Sequence, residues 1–268
     1  MADRLLQITR PSLINVKKAC IRAQHAYMTA ERTPDKTDVL ITDVETDAQV
    51  VISNDLVDST TCLAFRGTTT GTDWSINSRL WLVPSLLIPK GKIHAGFLVA
   101  WESIKKEVYS AIEKNGSSNL CVCGHSLGAG LAHIACTDIA NKFPDLDLEV
   151  ITFAGPRSSN KYYSTACRQK IPKMIRVVYD NDVVPNLPSK LLGYDHGDCE
   201  CLHLKEDGTF SFRNSDIDWF HEFIRRFMRL LSFDLGVKDH DINEYIVGLE
   251  KITQEEYDFR ECSRRDLP

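Results

Sequence analysis

One pentapeptide constrains the fold of this 268-residue chain more than any other feature. The sequence G-H-S-L-G at 124–128 follows an apolar run at 120–123 and precedes a helix-like run at 129–142. Between a strand and a helix, a G-x-S-x-G motif is typical of a sharp, strained turn that exposes the serine hydroxyl above a sheet. The following helix directs its N-terminal N–H groups towards an anion at this turn. We therefore predict that Ser126 is the nucleophile of an acyl-transfer or hydrolysis reaction.

Apolar segments with strand-like and helix-like spacing alternate along the chain. Strand-like spacing occurs at 39–42, 50–53, 61–65, 120–123, 148–153, 175–178 and 201–204. Helix-like spacing occurs at 12–30, 95–114, 129–142, 219–232 and 242–249. This alternation predicts an α/β fold in which a mostly parallel central sheet carries helices on both faces. We expect a single domain over residues 1–268.

Composition and charge exclude several classes of protein. A content of 43% hydrophobic residues is enough for a buried core, and a net charge of -5 gives no basic surface for nucleic acid. The longest uncharged apolar run, 80–89, is broken by Pro84 and is shorter than the ~20 residues of a membrane-spanning helix. No signal-like apolar segment follows Met1, so we expect a cytoplasmic protein. The nine cysteines lack metal-site spacing, and we expect them to be reduced and mostly buried.

A serine nucleophile needs a base, and the base needs an acid that orients it. In sheet enzymes of this kind the acid and then the base follow the serine along the chain. Two aspartates, Asp180 and Asp182, follow the predicted strand at 175–178. Periodicity does not separate them, because both face the same way on an extended backbone, and either could be a turn former. We favour Asp182.

Four histidines follow these aspartates, and His125 precedes them. His125 is excluded as the base, because a residue next to the nucleophile in a tight turn points elsewhere. His240 lies in a loop just before the last predicted helix, where catalytic groups are commonly presented. His221 lies within an amphipathic helix and His203 within a predicted strand. We favour His240 and keep His196, His203 and His221 as alternatives.

Six further segments accompany the serine motif along the chain. They are F-R-G-T at 65–68 with D-W at 73–74, I-H-A-G-F at 93–97, F-A-G-P-R at 153–157, N-D-V-V-P-N-L-P at 181–188, Y-D-H at 194–196 with Glu200, and D-H at 239–240 with Tyr245. In this order they resemble the class 3, fungal-type lipases of the α/β-hydrolase fold, over about 60–205 and again at 239–249. Gly197 falls one position before the family glycine, and an insert near 205–238 separates the last two segments. This insert is what keeps His221 as an alternative base.

The resemblance implies a serine hydrolase that cleaves carboxylic esters of lipids, as a triacylglycerol lipase does, through an acyl-enzyme intermediate. It assigns Asp182 as the acid and His240 as the base, without a cofactor or a metal. The N–H group of Leu127 should form one side of an oxyanion hole, and the resemblance adds Thr68. The implied partner is a lipid ester, with transient contact to a membrane or lipid-droplet surface. A phospholipase A1 or another carboxylesterase, and a non-catalytic lipase-like scaffold, are the alternatives.

Three further features remain open at this stage. The apolar segment near 70–88 lies between landmarks that flank the family's lid, and it is interpreted either as a lid or as a loop packed on the core. The basic amphipathic helix predicted at 219–232 fits a membrane surface, but such helices more often cover a sheet. Arg66, at the end of a buried strand, is expected to anchor an ion pair rather than to contact substrate.

Overall fold

The computed structural model describes residues 9–31, 38–55, 57–67, 81–214 and 238–258. Its strands, in chain order, are β1 (Val39–Thr42), β2 (Gln49–Asn54), β3 (Thr60–Phe65), β4 (Leu82–Pro84), β5 (Lys92–His94), β6 (Asn119–His125), β7 (Asp147–Phe153), β8 (Lys173–Tyr179), β9 (Glu200–Leu204) and β10 (Phe210–Asn214). Its helices are α1 (Leu13–Glu31), α2 (Ala95–Asn115), α3 (Leu127–Lys142), α4 (Lys161–Lys170) and α5 (Ile242–Glu250).

Eight of these strands form one sheet in the order β1-β2-β3-β6-β7-β8-β9-β10. The inner strands β3, β6, β7, β8 and β9 run parallel to one another. The outer strands β1, β2 and β10 pair antiparallel with their neighbours. The mostly parallel α/β sheet predicted from the sequence is therefore confirmed, with antiparallel strands at both edges.

Alternating side chains along the strands divide the core into two layers. On β3, Leu63 and Phe65 join the apolar layer formed with α2 and α3. Cys62 and Ala64, from the same strand, join the opposite layer with α1 and α5. In a parallel sheet that is covered on both faces, the sequence of each strand is a continuous apolar run rather than an alternation of apolar and polar residues. This is why the inner strands are visible in the sequence as short β-branched and cysteine-rich segments.

The cysteines pack as small apolar side chains. The eight cysteines within the described ranges are free and buried. The Sγ atoms of Cys62 and Cys123, on the adjacent strands β3 and β6, lie 3.7 Å apart. Those of Cys136 on α3 and Cys167 on α4 are also 3.7 Å apart. They contribute to the two apolar layers, as the sequence suggests.

Four elements are not predicted by the periodicity of the sequence: the short strands β4 and β5, strand β10 and helix α4. Helix α4 is mostly polar, and its start is marked by Asn160, whose side chain accepts a hydrogen bond from the N–H of Tyr163. Strand β10 lies inside the insert predicted near 205–238 and pairs with β9 through a short turn. The first part of the insert is therefore an edge strand of the main sheet. The helix predicted at 219–232, and with it His221, lies outside the described residues.

The segment near 70–88 is described only from residue 81. There it begins a hairpin in which β4 pairs with β5. Trp81 and Leu87 are exposed, and Leu86 at the turn is fully exposed. Among the helices of the described ranges, none combines the length and the apolar character needed to cross a bilayer.

His94 joins this hairpin to α2. Its Nδ1 accepts hydrogen bonds from the N–H groups of Gly96 and Phe97, at 3.0 and 3.3 Å, and so caps the helix. The ring is buried against Phe97 and Tyr194. Burial lowers the pKa of His94 from 6.5 to about 4, so the folded protein keeps this imidazole neutral.

The neutral His94 should make folding depend on pH. Between about pH 7.5 and about pH 5, the unfolded imidazole takes up a proton whereas the folded one does not, so we expect the free energy of unfolding to fall by about 1–2 kcal/mol. His94→Asn keeps a capping oxygen but does not titrate. Urea unfolding at both pH values measures the free energy of unfolding of the wild type and the variant. The difference between these two free energies should be smaller at the lower pH, because only the wild type loses the contribution of His94. An unchanged difference would contradict this role of His94.

Candidate active site

Ser126 lies in the sharp turn between β6 and α3. Its backbone angles, φ 58° and ψ -127°, fall in a region that residues with a Cβ rarely adopt. The N–H of Ser126 donates to the carbonyl of Phe153 at 3.0 Å, which ties the turn to β7. A Cβ atom on Gly124 would lie 2.5 Å from the carbonyl oxygen of Gly128, and one on Gly128 would lie 2.2 Å from that of Phe65. Both glycines are therefore required by the close crossing of strand and helix.

His240 contacts this serine from the C-terminal part of the chain. Its Nε2 lies 2.8 Å from the Oγ of Ser126. It ends a 3-10 turn at Lys238–His240, and α5 then begins with Asp241 as its N-cap. The imidazole is 20% exposed, whereas Ser126 is buried. The ring therefore has one nitrogen on the hydroxyl and part of its edge open to solvent.

Asp182 completes the row from the turn after β8. Its two carboxylate oxygens lie 3.1 and 3.0 Å from Nδ1 of His240. The fully buried carboxylate also accepts hydrogen bonds from the N–H of Val184, at 2.9 Å, and from the hydroxyl of Tyr245, at 2.6 Å. Burying a carboxylate is costly unless such donors satisfy it. The carboxylate of Asp182 favours a proton on Nδ1 of His240. Nε2 of His240 is then left to accept the proton of Ser126.

Asp180, the alternative acid, makes different contacts. Its carboxylate accepts a hydrogen bond from the side-chain amide of Asn181 at 2.7 Å, and its backbone φ is 30°. The two aspartates share strand periodicity, but the chain turns between them. The carboxylate on the histidine is therefore that of Asp182, which could not be decided from spacing alone.

Two of the alternative histidines hold the loop that carries this acid. His196 donates from Nε2 to the carbonyl of Pro185 at 2.6 Å. His203 donates from Nε2 to the carbonyl of Asp180 at 2.9 Å. Both rings therefore bond the main chain around Asp182 rather than Ser126.

Arg157 also holds this loop. Its buried guanidinium donates from Nη1 to the carbonyls of Asn186 and Pro188, the second at 3.0 Å. Its N–H donates to the carbonyl of Leu187 at 2.7 Å. Neither this anchor nor the phenol of Tyr245 on Asp182 could be deduced from spacing, although both residues lie in segments that the family resemblance highlights.

A second serine–histidine contact has the same length. Nδ1 of His133 lies 2.8 Å from the Oγ of Ser158. Within the described ranges, however, His133 is not bonded to a carboxylate, and Ser158 does not have a positive φ. A short contact is therefore not sufficient, and the strained turn and the buried carboxylate distinguish the candidate site at Ser126.

The predicted oxyanion donors are placed only in part. Leu127 is the first residue of α3, where main-chain N–H groups have no acceptor within the helix. Thr68 lies outside the described residues. Its predecessor Gly67 runs close to the serine turn, because a Cβ atom there would lie 2.8 Å from the carbonyl oxygen of His125. The oxyanion hole stays a prediction.

Arg66 and His125, which lie near the serine turn, make the contacts expected from the sequence. Arg66 contacts Asp47 at 2.5 Å through Nη2, which is the ion pair expected of it. The ring of His125 bonds the hydroxyl of Tyr27 through Nδ1 at 3.0 Å, not the nucleophile. Burial, and secondarily the charge of His240, place the pKa of His125 well below its usual value.

Comparison with known proteins adds an independent observation. Residues 62–192 match the family Lipase (class 3). Secreted mono- and diacylglycerol lipase A of Penicillium cyclopium is 31% identical over 159 residues, which cover 56% of this chain and 50% of that protein. The chloroplastic phospholipase A(1) DAD1 of Arabidopsis thaliana is 26% identical over 234 residues, which cover 76% of this chain and 52% of that protein. The chain spans about half the length of these two relatives.

Among solved structures, the triacylglyceride lipase of Rhizomucor miehei has a TM-score of 0.67 and 19% sequence identity. The match covers 77% of this chain and 84% of that chain. At this identity the likeness shows the fold, which is the α/β-hydrolase fold predicted from the sequence.

Proposed function

We propose that this chain, whose residues 62–192 match the class 3 lipase family, is a member of that family and hydrolyses carboxylic esters of lipids. The observation that carries the proposal is the hydrogen-bonded row from Asp182 through His240 to Ser126, with the serine at a strained turn. A nucleophile, a base and a buried orienting acid in this arrangement are the parts of a serine hydrolase.

The geometry supports the following steps. Ser126 Oγ attacks the ester carbonyl while Nε2 of His240 takes its proton. The bond to the leaving alcohol then breaks, and the imidazolium returns the proton to that alcohol. Asp182 stabilises the imidazolium throughout. Water, activated by His240, hydrolyses the acyl-enzyme and releases the free acid.

We assign the oxyanion to the N–H groups of Leu127 and Thr68. The charge on the ester oxygen develops next to the start of α3, where the helix presents unpaired N–H groups. Loss of one such donor typically costs about 10²–10³ in turnover.

Acylglycerols are the proposed substrates, with phospholipids as the second choice. The similarity to a mono- and diacylglycerol lipase supports the first class, and the similarity to a phospholipase A(1) supports the second. Trp81, Leu86 and Leu87 expose apolar surface at the described end of the segment near 70–88, which fits transient contact with a lipid surface. These two relatives are secreted and chloroplastic, and a cytoplasmic location for this chain stays a prediction.

A substrate panel tests this proposal. We expect hydrolysis of nitrophenyl esters and of a triacylglycerol emulsion. Phosphatidylcholine vesicles, assayed separately, test the second choice of substrate. A lid near 70–88 should raise the triacylglycerol rate once the substrate exceeds its solubility. A fluorophosphonate should label Ser126 in the wild type. Absence of labelling and of ester hydrolysis would favour a non-catalytic scaffold instead.

A further inference from the structure

Tyr27, near the end of α1, connects two segments next to the candidate active site. Its hydroxyl lies 3.0 Å from Nδ1 of His125. The main-chain N–H of Gly67 also acts on this oxygen as a donor, which lowers the pKa of the phenol against the larger effect of burial. The approach is so close that a Cβ atom on Gly67 would lie 2.1 Å from the phenol oxygen. The side chain of Tyr27 therefore contacts both Gly67, which lies two positions after the end of β3, and His125, which directly precedes the nucleophile.

The directions of these hydrogen bonds are mutually consistent. With the N–H of Gly67 directed at the phenol oxygen, we assign the phenol proton to the bond with Nδ1 of His125, so that this nitrogen is the acceptor. The ring proton is thereby assigned to Nε2 of His125. This nitrogen is buried without a partner at hydrogen-bond geometry.

The ring of His125 also lies against the proposed base. The ring centres of His125 and His240 are 4.9 Å apart, and the planes are inclined by 34°. The ring of His125 also makes a T-shaped contact with the ring of Tyr245, the donor to Asp182, with the ring centres 5.8 Å apart. Burial keeps the pKa of His125 well below its usual value, so that it carries no charge opposite the imidazolium that forms during the reaction.

We propose that Tyr27 is a positioning residue for ester hydrolysis, which fixes the main chain at Gly67 and the ring of His125 relative to Ser126 and His240. The inference rests on the proposed function. Gly67 directly precedes Thr68, the predicted oxyanion donor, and His125 directly precedes the nucleophile. Without the hydroxyl, a main-chain donor and a buried ring nitrogen lose their partner together, and the serine turn and the base lose a shared support.

Tyr27→Phe tests this role, because it removes the hydroxyl and keeps the ring. We expect kcat to fall by about 10-fold, less than the loss of a whole oxyanion donor, while KM changes by less than about 2-fold. The matched control is Tyr163→Phe, whose buried hydroxyl donates to the carbonyl of Ile134 on α3, away from the triad contacts. Its kcat should equal that of the wild type. Turnover is counted per site that reacts with a fluorophosphonate, so that loss of folded protein does not imitate loss of rate.

A double-variant cycle tests whether Tyr27 acts through His125. His125→Phe keeps a flat ring but cannot accept the hydrogen bond. In that background the Tyr27→Phe change should cost less than in the wild type, because the interacting partner is already absent. Equal costs in both backgrounds, or a Tyr27→Phe variant as active as Tyr163→Phe, would overturn the inference alone. A wild-type protein without esterase activity would overturn the proposed function as well.

Discussion

Ser126→Ala should lower kcat for ester hydrolysis by about 10⁶, close to the loss seen when a whole catalytic triad is removed from a serine hydrolase. The hydroxyl is the atom that attacks the substrate, and Oγ of Ser126 is the end of the hydrogen-bonded row from Asp182. Alanine meets the same backbone strain at φ 58° as serine does, so the fold should persist. Turnover of a nitrophenyl ester and thermal unfolding measure the two effects separately.

Ser158→Ala is the matched control for this prediction. Ser158 is buried and has a histidine 2.8 Å away, as Ser126 does, but its histidine is not bonded to a carboxylate within the described ranges. We expect this variant to keep its activity and its reaction with a fluorophosphonate. An active Ser126→Ala protein would remove the nucleophile from the proposal.

His240→Ala should reduce kcat to a similar extent, about 10⁵–10⁶, because the serine then has no group to accept its proton. The nucleophile and the base act as one unit. The variant that lacks both Ser126 and His240 should therefore be no slower than either single variant. Steady-state kinetics of the three variants on one nitrophenyl ester give this comparison.

The variant His221→Ala is the comparison for His240→Ala, because it tests the other candidate base. His221 was the alternative base suggested by the insert, and it lies outside the described residues. Its replacement should leave kcat near that of the wild type. A large loss in His221→Ala, together with an active His240→Ala protein, would transfer the role of base to His221 and refute the proposed row.

Most of the sheet could be predicted because its strands are buried on both faces. Such strands appear as short apolar runs, and the runs at 61–65 and 148–153 lie within the inner strands β3 and β7. Helix α4 was not predicted, because its sequence K-Y-Y-S-T-A-C-R-Q-K is mostly polar, its buried stripe includes Ser164 and Arg168, and its start depends on the cap at Asn160. Strand β10 was missed because its sequence F-S-F-R-N has only two apolar residues, Phe210 and Phe212.

The site was predictable where a local pattern determines geometry, and not where geometry depends on distant contacts. The turn at Ser126 follows from two glycines and a serine. Asp180 and Asp182 share a periodicity, and only the chain reversal between them separates their contacts. Tyr27 lies 98 positions before its partner His125, and in a helical pattern it appears as one more residue facing the sheet.

The position of helix α5 has a consequence for shortened forms of this protein. His240 sits just before α5, and the phenol that stabilises Asp182 projects from Tyr245 within it. A product terminated upstream of residue 238 would lose the proton acceptor and the support of its carboxylate in one step. Such a fragment should behave as an all-or-nothing defect, with the serine in place but chemically silent, rather than as a gradually weakened enzyme.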